Sequence, residues 1–207
     1  NVKMAWVKKL GHAMIEYTEV LIGGHKIDKQ YGDWINVWLE LSCDANIEKM
    51  YGKLIGNVPA LTTFDRNDKP SCTLHIPLRF WFCFNNGLAI PLISLQYHDL
   101  SFNVKFRNFV DCAYMEKDKT ILIPGYDDEL YLDELGRAEG VIIQASMLID
   151  YVYLDSSERK RFAQSSHEYL IEQVQMREFS GINLVNFQAL IDFNHPCKEL
   201  IWVAQKT

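Results

Sequence analysis

No stretch of this 207-residue chain approaches the ~18 consecutive apolar residues that a membrane-spanning helix needs. The opening Asn-Val-Lys-Met-Ala-Trp lacks the uniform apolar segment of a signal peptide. No Asn-x-Ser/Thr sequon occurs, so the usual secretory glycan mark is missing. Excess positive charge is missing too. The net charge of −6 argues against a protein that coats nucleic acid, which would need Lys and Arg to neutralise phosphates. Short basic groups exist at Lys3, Lys8 and Lys9 and at Arg159-Lys160-Arg161, but such runs read first as solvated faces. Five cysteines (Cys43, Cys72, Cys83, Cys112, Cys197), odd in number and irregular in spacing, read as free and mostly buried thiols of a reducing compartment.

Catalytic signatures are equally scarce. Gly23-Gly24 has no G-x-G-x-x-G or G-K-[ST] continuation, and there is no G-x-S-x-G elbow. The six histidines (His12, His25, His75, His98, His167, His195) stand singly, without the H-x-H pair of a metal-binding jelly roll. Cys72-x-x-His75 has no second pair at zinc spacing, and residues three apart on a strand point to opposite faces. His195-Pro-Cys197 shares that weakness, and Asn194-His195-Pro196 reads better as a turn. His167-Glu168 diverge on an extended chain. Asp127-Asp128-Glu129 lacks the glycine and spacing of a calcium loop. The aromatic run Phe80-Trp81-Phe82 reads as a core wall, since no Lys/Arg interleaving follows to make it a base-stacking platform. The expectation is therefore no catalytic residue, no metal site and no cofactor.

What is present is core material: 48% hydrophobic residues, 23% charged and 13% aromatic, a balance suited to strands. The stretch 73–109, TLHIPLRFWFCFNNGLAIPLISLQYHDLSFNVKFRNF, dominates. In its second half Leu100, Phe102, Val104 and Phe106 alternate with Ser101, Asn103, Lys105 and Arg107, a strand with one buried and one wet face. Its first half, Leu74 to Phe84, is apolar nearly throughout and predicts a strand covered on both faces, with Pro77 at a bulge or open edge. Asn85-Asn86-Gly87 breaks it, and 88–95 is a compact apolar connector interrupted by Pro91.

Elsewhere the spacing predicts a short amphipathic helix over 2–11, with Val2, Trp6 and Leu10 on one side. A strand over 14–22 turns at Gly23-Gly24 into a returning polar segment, 25–31. Asp33 is a plausible N-cap for a helix whose stripe is Trp34, Val37, Trp38 and Leu41, widened by Ile35 and Leu39. A second helix is predicted over 47–54, stopped by Gly56-Asn57 and Pro59, and a polar loop over 62–71. A short strand at 120–123 precedes an acid-rich loop, 126–139. A long strand is predicted over 140–154, with Ile143, Ala145, Met147, Ile149 and Tyr151 on one face. A helix capped by Asp155 or Ser156 follows, then strands over 168–175, 182–192 and 199–204. The chain opens without Met and stops just after a strand-like Leu200-Ile-Trp-Val, and neither end reads as a natural terminus.

Four segments carry a resemblance: IGGHKIDKQYGDWINVW (22–38), IPLRFWFCFNNGLAIPLISLQYHDL (76–100), DYVYLDSSERKRFAQSSHEYLIEQVQ (150–175) and FNHPCKELIW (193–202). In order and spacing they resemble the major capsid proteins of nucleocytoplasmic large DNA viruses. The resemblance implies an all-β fold of antiparallel jelly-roll sandwiches, two in tandem with short helices in the loops, the set being incomplete here. It implies a first jelly roll over 1–154 without its opening strands, a helical connector over 155–167, and the start of a second jelly roll over 168–207. It implies no enzyme, but a structural protein of the virion that forms homotrimeric, pseudo-hexagonal capsomers of an icosahedral shell, assembled in the host cytoplasm. Partners would be copies of itself and minor capsid proteins, without direct nucleic-acid contact. The residues alone leave room for a jelly-roll carbohydrate-binding module, a jelly-roll metalloenzyme, or a minor capsid or scaffold protein of the same architecture.

Overall fold

A computed structural model describes residues 3–117, 120–122, 144–180 and 186–204. It divides into two units, 1–173 and 174–207. The predicted acidic loop 126–139, with Asp127-Asp128-Glu129, and parts of the predicted strands at 140–143 and 182–185 lie outside the described residues.

The first unit is built on two three-stranded antiparallel sheets. One contains β2 (Ile15–Ile22) at its centre, flanked by β3 (His25–Tyr31) and β4 (Leu100–Phe106). The β2–β3 hairpin is closed by Gly23 and Gly24, whose φ angles of 58° and 79° suit the two-residue turn that matches strand twist. Across β2, Val20 faces Asp28 on one side and Phe102 on the other. The alternation predicted for β4 holds at Leu100, Phe102 and Phe106, which are half-buried, whereas Ser101, Asn103 and Lys105 are exposed. Val104 departs from it and is exposed.

The second sheet contains β1 (Met4–Trp6), β5 (Ala113–Lys117) and β6 (Thr120–Leu122). Here the predicted helix over 2–11 is corrected. Met4, Ala5 and Trp6 pair with Met115, Tyr114 and Ala113, and Trp6 lays its ring edge-on against Phe109 with centroids 5.2 Å apart. A non-local ladder has overridden a local helical spacing. The chain then turns at Lys9 (φ 56°) into α1 (Leu10–Met14).

Three helices follow β3: α2 (Gly32–Ser42), α3 (Ala45–Leu54) and α4 (Pro59–Thr62). The cap of α2 is Tyr31 rather than Asp33, whose carboxylate instead takes Arg107 at 2.6 Å. Gly32 is required by close approach, since a Cβ there would run into the carbonyl oxygens of His12 and Ile15. The predicted stripe of α2 is also corrected. Ile35 and Leu39 are the buried positions, Trp34, Val37 and Trp38 are half-buried, and Leu41 is 65% exposed. Asp33, Asn36 and Glu40 share one side of α2 and leave a wide apolar arc from Val37 round to Leu39, and the pattern alone does not select which part of that arc faces inward. Leu39 packs with Tyr51 of α3 and with Ile55 at its C-terminal cap, and Asp44 caps the start of α3 by accepting from the Asn46 amide at 2.8 Å.

Residues 71–80 are extended but belong to no ladder, correcting the predicted strand over 74–84, and Trp81–Cys83 form a single 3₁₀ turn. Burial still alternates along 73–80. Leu74, Ile76 and Leu78 are half-buried and Phe80 fully buried, while Thr73, His75 and Pro77 are exposed. Phe80, Trp81 and Val20 form the main core cluster, covered by Phe82, Phe102, Leu88 and Ile90 among others. The core-wall reading of this aromatic run is therefore the observed one.

The predicted strands over 144–154 and 168–173 likewise join no ladder, with Leu148 86% and Leu170 92% exposed. Their sequence alternation supplies a face but no backbone ladder, and a strand needs both. Between them α5 (Ser156–Gln164) forms as expected, its Asp155 carboxylate accepting from the amides of Ser157 (3.0 Å) and Glu158 (2.8 Å).

In the second unit the described residues form no helix or ladder, which corrects the predicted strands at 174–175, 186–192 and 199–204. Gln175 and Asn194 exchange two hydrogen bonds of 3.1 Å, and Phe179 meets Phe187 edge-on at 5.7 Å. His195 sits at φ 70°, at the turn expected for Asn194-His195-Pro196.

Candidate functional site

The residues weighed for chemistry remain apart. Among the described residues no group of three or more His, Cys, Asp or Glu stands close enough to hold a metal ion. Cys72 and His75 are both exposed on the unladdered segment. His167 is half-buried but engaged: its Nε2 lies 2.8 Å from the Phe162 carbonyl, and its ring stacks on Phe162 with centroids 4.8 Å apart. All five cysteines are unpaired thiols, yet only Cys112 is buried; Cys72, Cys83 and Cys197 are exposed. The expectation of mostly buried thiols is thereby corrected: Cys72 and Cys197 lie on irregular segments, and Cys83 ends the 3₁₀ turn. Burial, with help from Asp111, pushes the Cys112 thiol up to about 11, so it stays protonated and inert at neutral pH. Among the described residues no helix is long and apolar enough to cross a membrane.

What the first unit does assemble is a stiff, cross-braced surface. On one face of the β3–β2–β4 sheet Tyr17, Glu19, Lys29, Tyr31 and Lys105 stand in adjacent rows. The Lys29 ammonium lies 3.7 Å from the Tyr17 ring centroid. Glu19 is nearly buried, and burial alone would push its carboxyl up. Lys26 at 2.5 Å, with Asn103 and Lys29, outweighs that and holds it below the usual carboxylate range. On the opposite face Gln30 donates to Asp28 (3.0 Å) and to the Arg79 carbonyl (2.7 Å), fastening the extended segment to the hairpin despite its lack of a ladder. Sequence pattern marked neither residue, since a polar strand position reads as solvent-facing.

A cleft of about 470 Å³ opens beside this core, walled by Ile22, Ile27, Trp81, Ile90, Tyr169 and Ile171 among others. Its far wall is the segment after α5, held by two bonds onto the Phe162 carbonyl, from Ser94 Oγ (2.7 Å) and His167, and by Gln173 donating to the Ile27 carbonyl. Its walls are mainly apolar, with Ser94, Ser165, Ser166 and His167 as the polar members of the lining. The exposed apolar side chains of 147–153 add to this, with Tyr153 86% exposed.

Comparison with known proteins gives this surface its context. Residues 1–155 match the family model described as major capsid protein N-terminus, and residues 158–207 match that of the large eukaryotic DNA virus major capsid protein. Capsid protein 1 of Acanthamoeba polyphaga mimivirus is 43% identical over 215 residues, covering 99% of this chain and 34% of that protein. The major capsid protein of Chrysochromulina ericina virus is 37% identical, covering 97% of this chain and 38% of that protein. Among solved structures, the quasi-atomic model of the PBCV-1 virus capsid aligns with a TM-score of 0.51 and 27% identity over 83% of this chain and 38% of that one. The chain thus spans a little over a third of the length of these relatives. With family models covering both parts of its length, the chain belongs to the major capsid protein family of large eukaryotic DNA viruses.

Proposed function

We propose that this chain works as a structural part of a virus shell, through packing and self-association rather than chemistry. The observation that carries this reading is the tandem match, 1–155 to one capsid model and 158–207 to the next, meeting at the start of α5. In this reading residues 1–154 belong to a first jelly roll, 155–167 to a helical connector and 168–207 to the start of a second. The segments 73–80, 144–154 and 168–173, which join no ladder here, are the places where those sandwiches take up further strands. Their ladders form in the longer polypeptide, at whose scale the relatives are built.

The whole protein then assembles as homotrimers with a pseudo-hexagonal outline, tiles an icosahedral shell beside minor capsid proteins, and is built into virions in the host cytoplasm. Rigid sandwiches suit that work, because each fully buried Leu or Phe contributes roughly 1.5–3 kcal/mol and little of the fold is left free to deform. The test is protein abundance in purified virions. A polypeptide containing this sequence is expected to dominate the stained gel and to lie in the shell layer by cryo-EM. A trace or absent component would overturn the reading.

A further inference from the structure

The helical hairpin α2–α3 is joined to the rest of the first unit through a buried polar junction centred on His12. His12 is 2% exposed and its Nε2 lies 3.2 Å from the Tyr51 hydroxyl of α3. Within 3.5 Å its Nδ1 has no partner, and neither has the Asn36 Oδ1 of α2 nor the Arg79 Nε of the extended segment, although Asn36 stands near enough to favour the protonated ring. The same junction carries the Gly11 amide bonded to the Ile55 carbonyl at 2.8 Å, and Gly32 seated against the His12 and Ile15 carbonyls. Four elements therefore meet at one imidazole: α1, α2, α3 and segment 71–80.

The charged groups that bear on that ring are Lys9, at the start of its own helix, and Arg79, from the extended segment. Both are cations. Lys9 is itself paired with Glu40 of α2. From α2 the ring is faced by the neutral Asn36, and from α3 by Tyr51, whose phenol burial pushes up and so keeps neutral. A second proton on the ring would turn both nitrogens into donors. Tyr51 could then only accept, and Nδ1–H would depend on Asn36 for an acceptor. The added charge would be buried beside two cations.

We infer that this junction is an acid-sensitive latch, in which protonation of His12 frees the α2–α3 hairpin from α1 and the sheet while the β3–β2–β4 ladder stays closed. The linkage runs in one direction. Burial first, then Lys9 and Arg79, lower His12 from 6.5 to about 4, against a smaller opposing pull from Asn36. A group more easily protonated when released contributes stability that is full above pH 6.5 and is lost as the pH falls towards 4. Over that window the opening equilibrium of the hairpin rises by about two orders of magnitude. The inference does not depend on the capsid reading and stands or falls on this unit alone.

The test is amide hydrogen exchange on the full chain between pH 7 and pH 4, with protection factors corrected for the intrinsic rate. Amides of α2 and α3 are expected to lose protection about a hundredfold across the window, while β2 and β4 amides keep theirs. In His12→Gln the hairpin profile should be flat. Equal loss in helices and ladder, no loss in the helices, or the same profile in His12→Gln would each overturn the latch. Should His12→Gln not fold, the His12 ring is titrated by NMR in the unaltered protein alongside the exchange: loss of α2–α3 protection that tracks protonation of the ring supports the latch, and loss while the ring stays neutral, or protonation without loss, refutes it.

Discussion

The core cluster around Phe80 gives the sharpest quantitative expectation. Its ring is fully buried and stacks near Phe82, with centroids 5.4 Å apart and planes 20° apart, while Phe102 approaches at 6.3 Å. Phe80→Ala removes the transfer free energy of the ring, leaves a cavity between the extended segment and β4, and deletes two aromatic contacts. Buried Phe→Ala changes cost about 3–5 kcal/mol, and each lost ring pair adds to the upper part of that range. About 4 kcal/mol is thus expected, a large share of the 5–15 kcal/mol that typically holds a domain together. With a urea m-value of about 2 kcal/mol/M, the midpoint falls by about 2 M. The assay is urea unfolding followed by tryptophan fluorescence, since Trp81 lies in the same cluster. A loss below 1 kcal/mol would mean that segment 73–80 does not dock on the sheet, and the account of the core would be wrong.

Further expectations follow the same logic. Leu39→Ala should cost about 2–5 kcal/mol and Leu41→Ala less than about 0.5 kcal/mol in the same assay, because only Leu39 is buried; the reverse order would restore the stripe read from the sequence. Gly24→Ala should cost about 1 kcal/mol through its left-handed φ alone, and Gly23→Ala more, since its Cβ would also meet His98 Nδ1 at 2.7 Å; equal thermal shifts would contradict that. Asp155→Ala should fray the first turn of α5, seen as faster exchange at Ser157 and Glu158. The hydrogen bonds to the Glu158 amide and to Ser157 hold the Asp155 carboxyl below the usual range, so the cap is complete above the unfolded carboxylate pKa and lost as pH falls below it. Expressed alone, the 207-residue chain should self-associate through its unladdered apolar segments, and a monodisperse monomer in light scattering would contradict that reading.

Local signals in the sequence were the reliable ones. Gly23-Gly24 between two alternating runs fixed the hairpin, Asp155 with Glu158 marked the start of α5, and the period of two placed Phe102 inward. Failures came where the outcome depends on distant residues. Trp6 and Leu10 have helical spacing, yet Met4–Trp6 finds a ladder more than a hundred residues away in β5. The inward side of α2 is chosen by Tyr51 and Ile55 of its neighbour, which no pattern within 32–42 encodes. Segments 73–80 and 144–154 show the opposite limit: apolar composition made them strands on paper, but pairing needs a partner that composition does not name. The His12 junction was invisible for a related reason, since a lone histidine acquires its meaning from Lys9, Asn36, Tyr51 and Arg79, brought together only by folding. The family resemblance, resting on long segments in order, carried information that periodicity lacked, and the family models now cover the same ground.

The central claim is that residues like these build a shell by fitting copies of themselves. Native mass spectrometry of the intact viral polypeptide that contains this chain tests it most directly. The account expects a homotrimer as the dominant species. A polypeptide that stays monomeric at every concentration up to precipitation would contradict it.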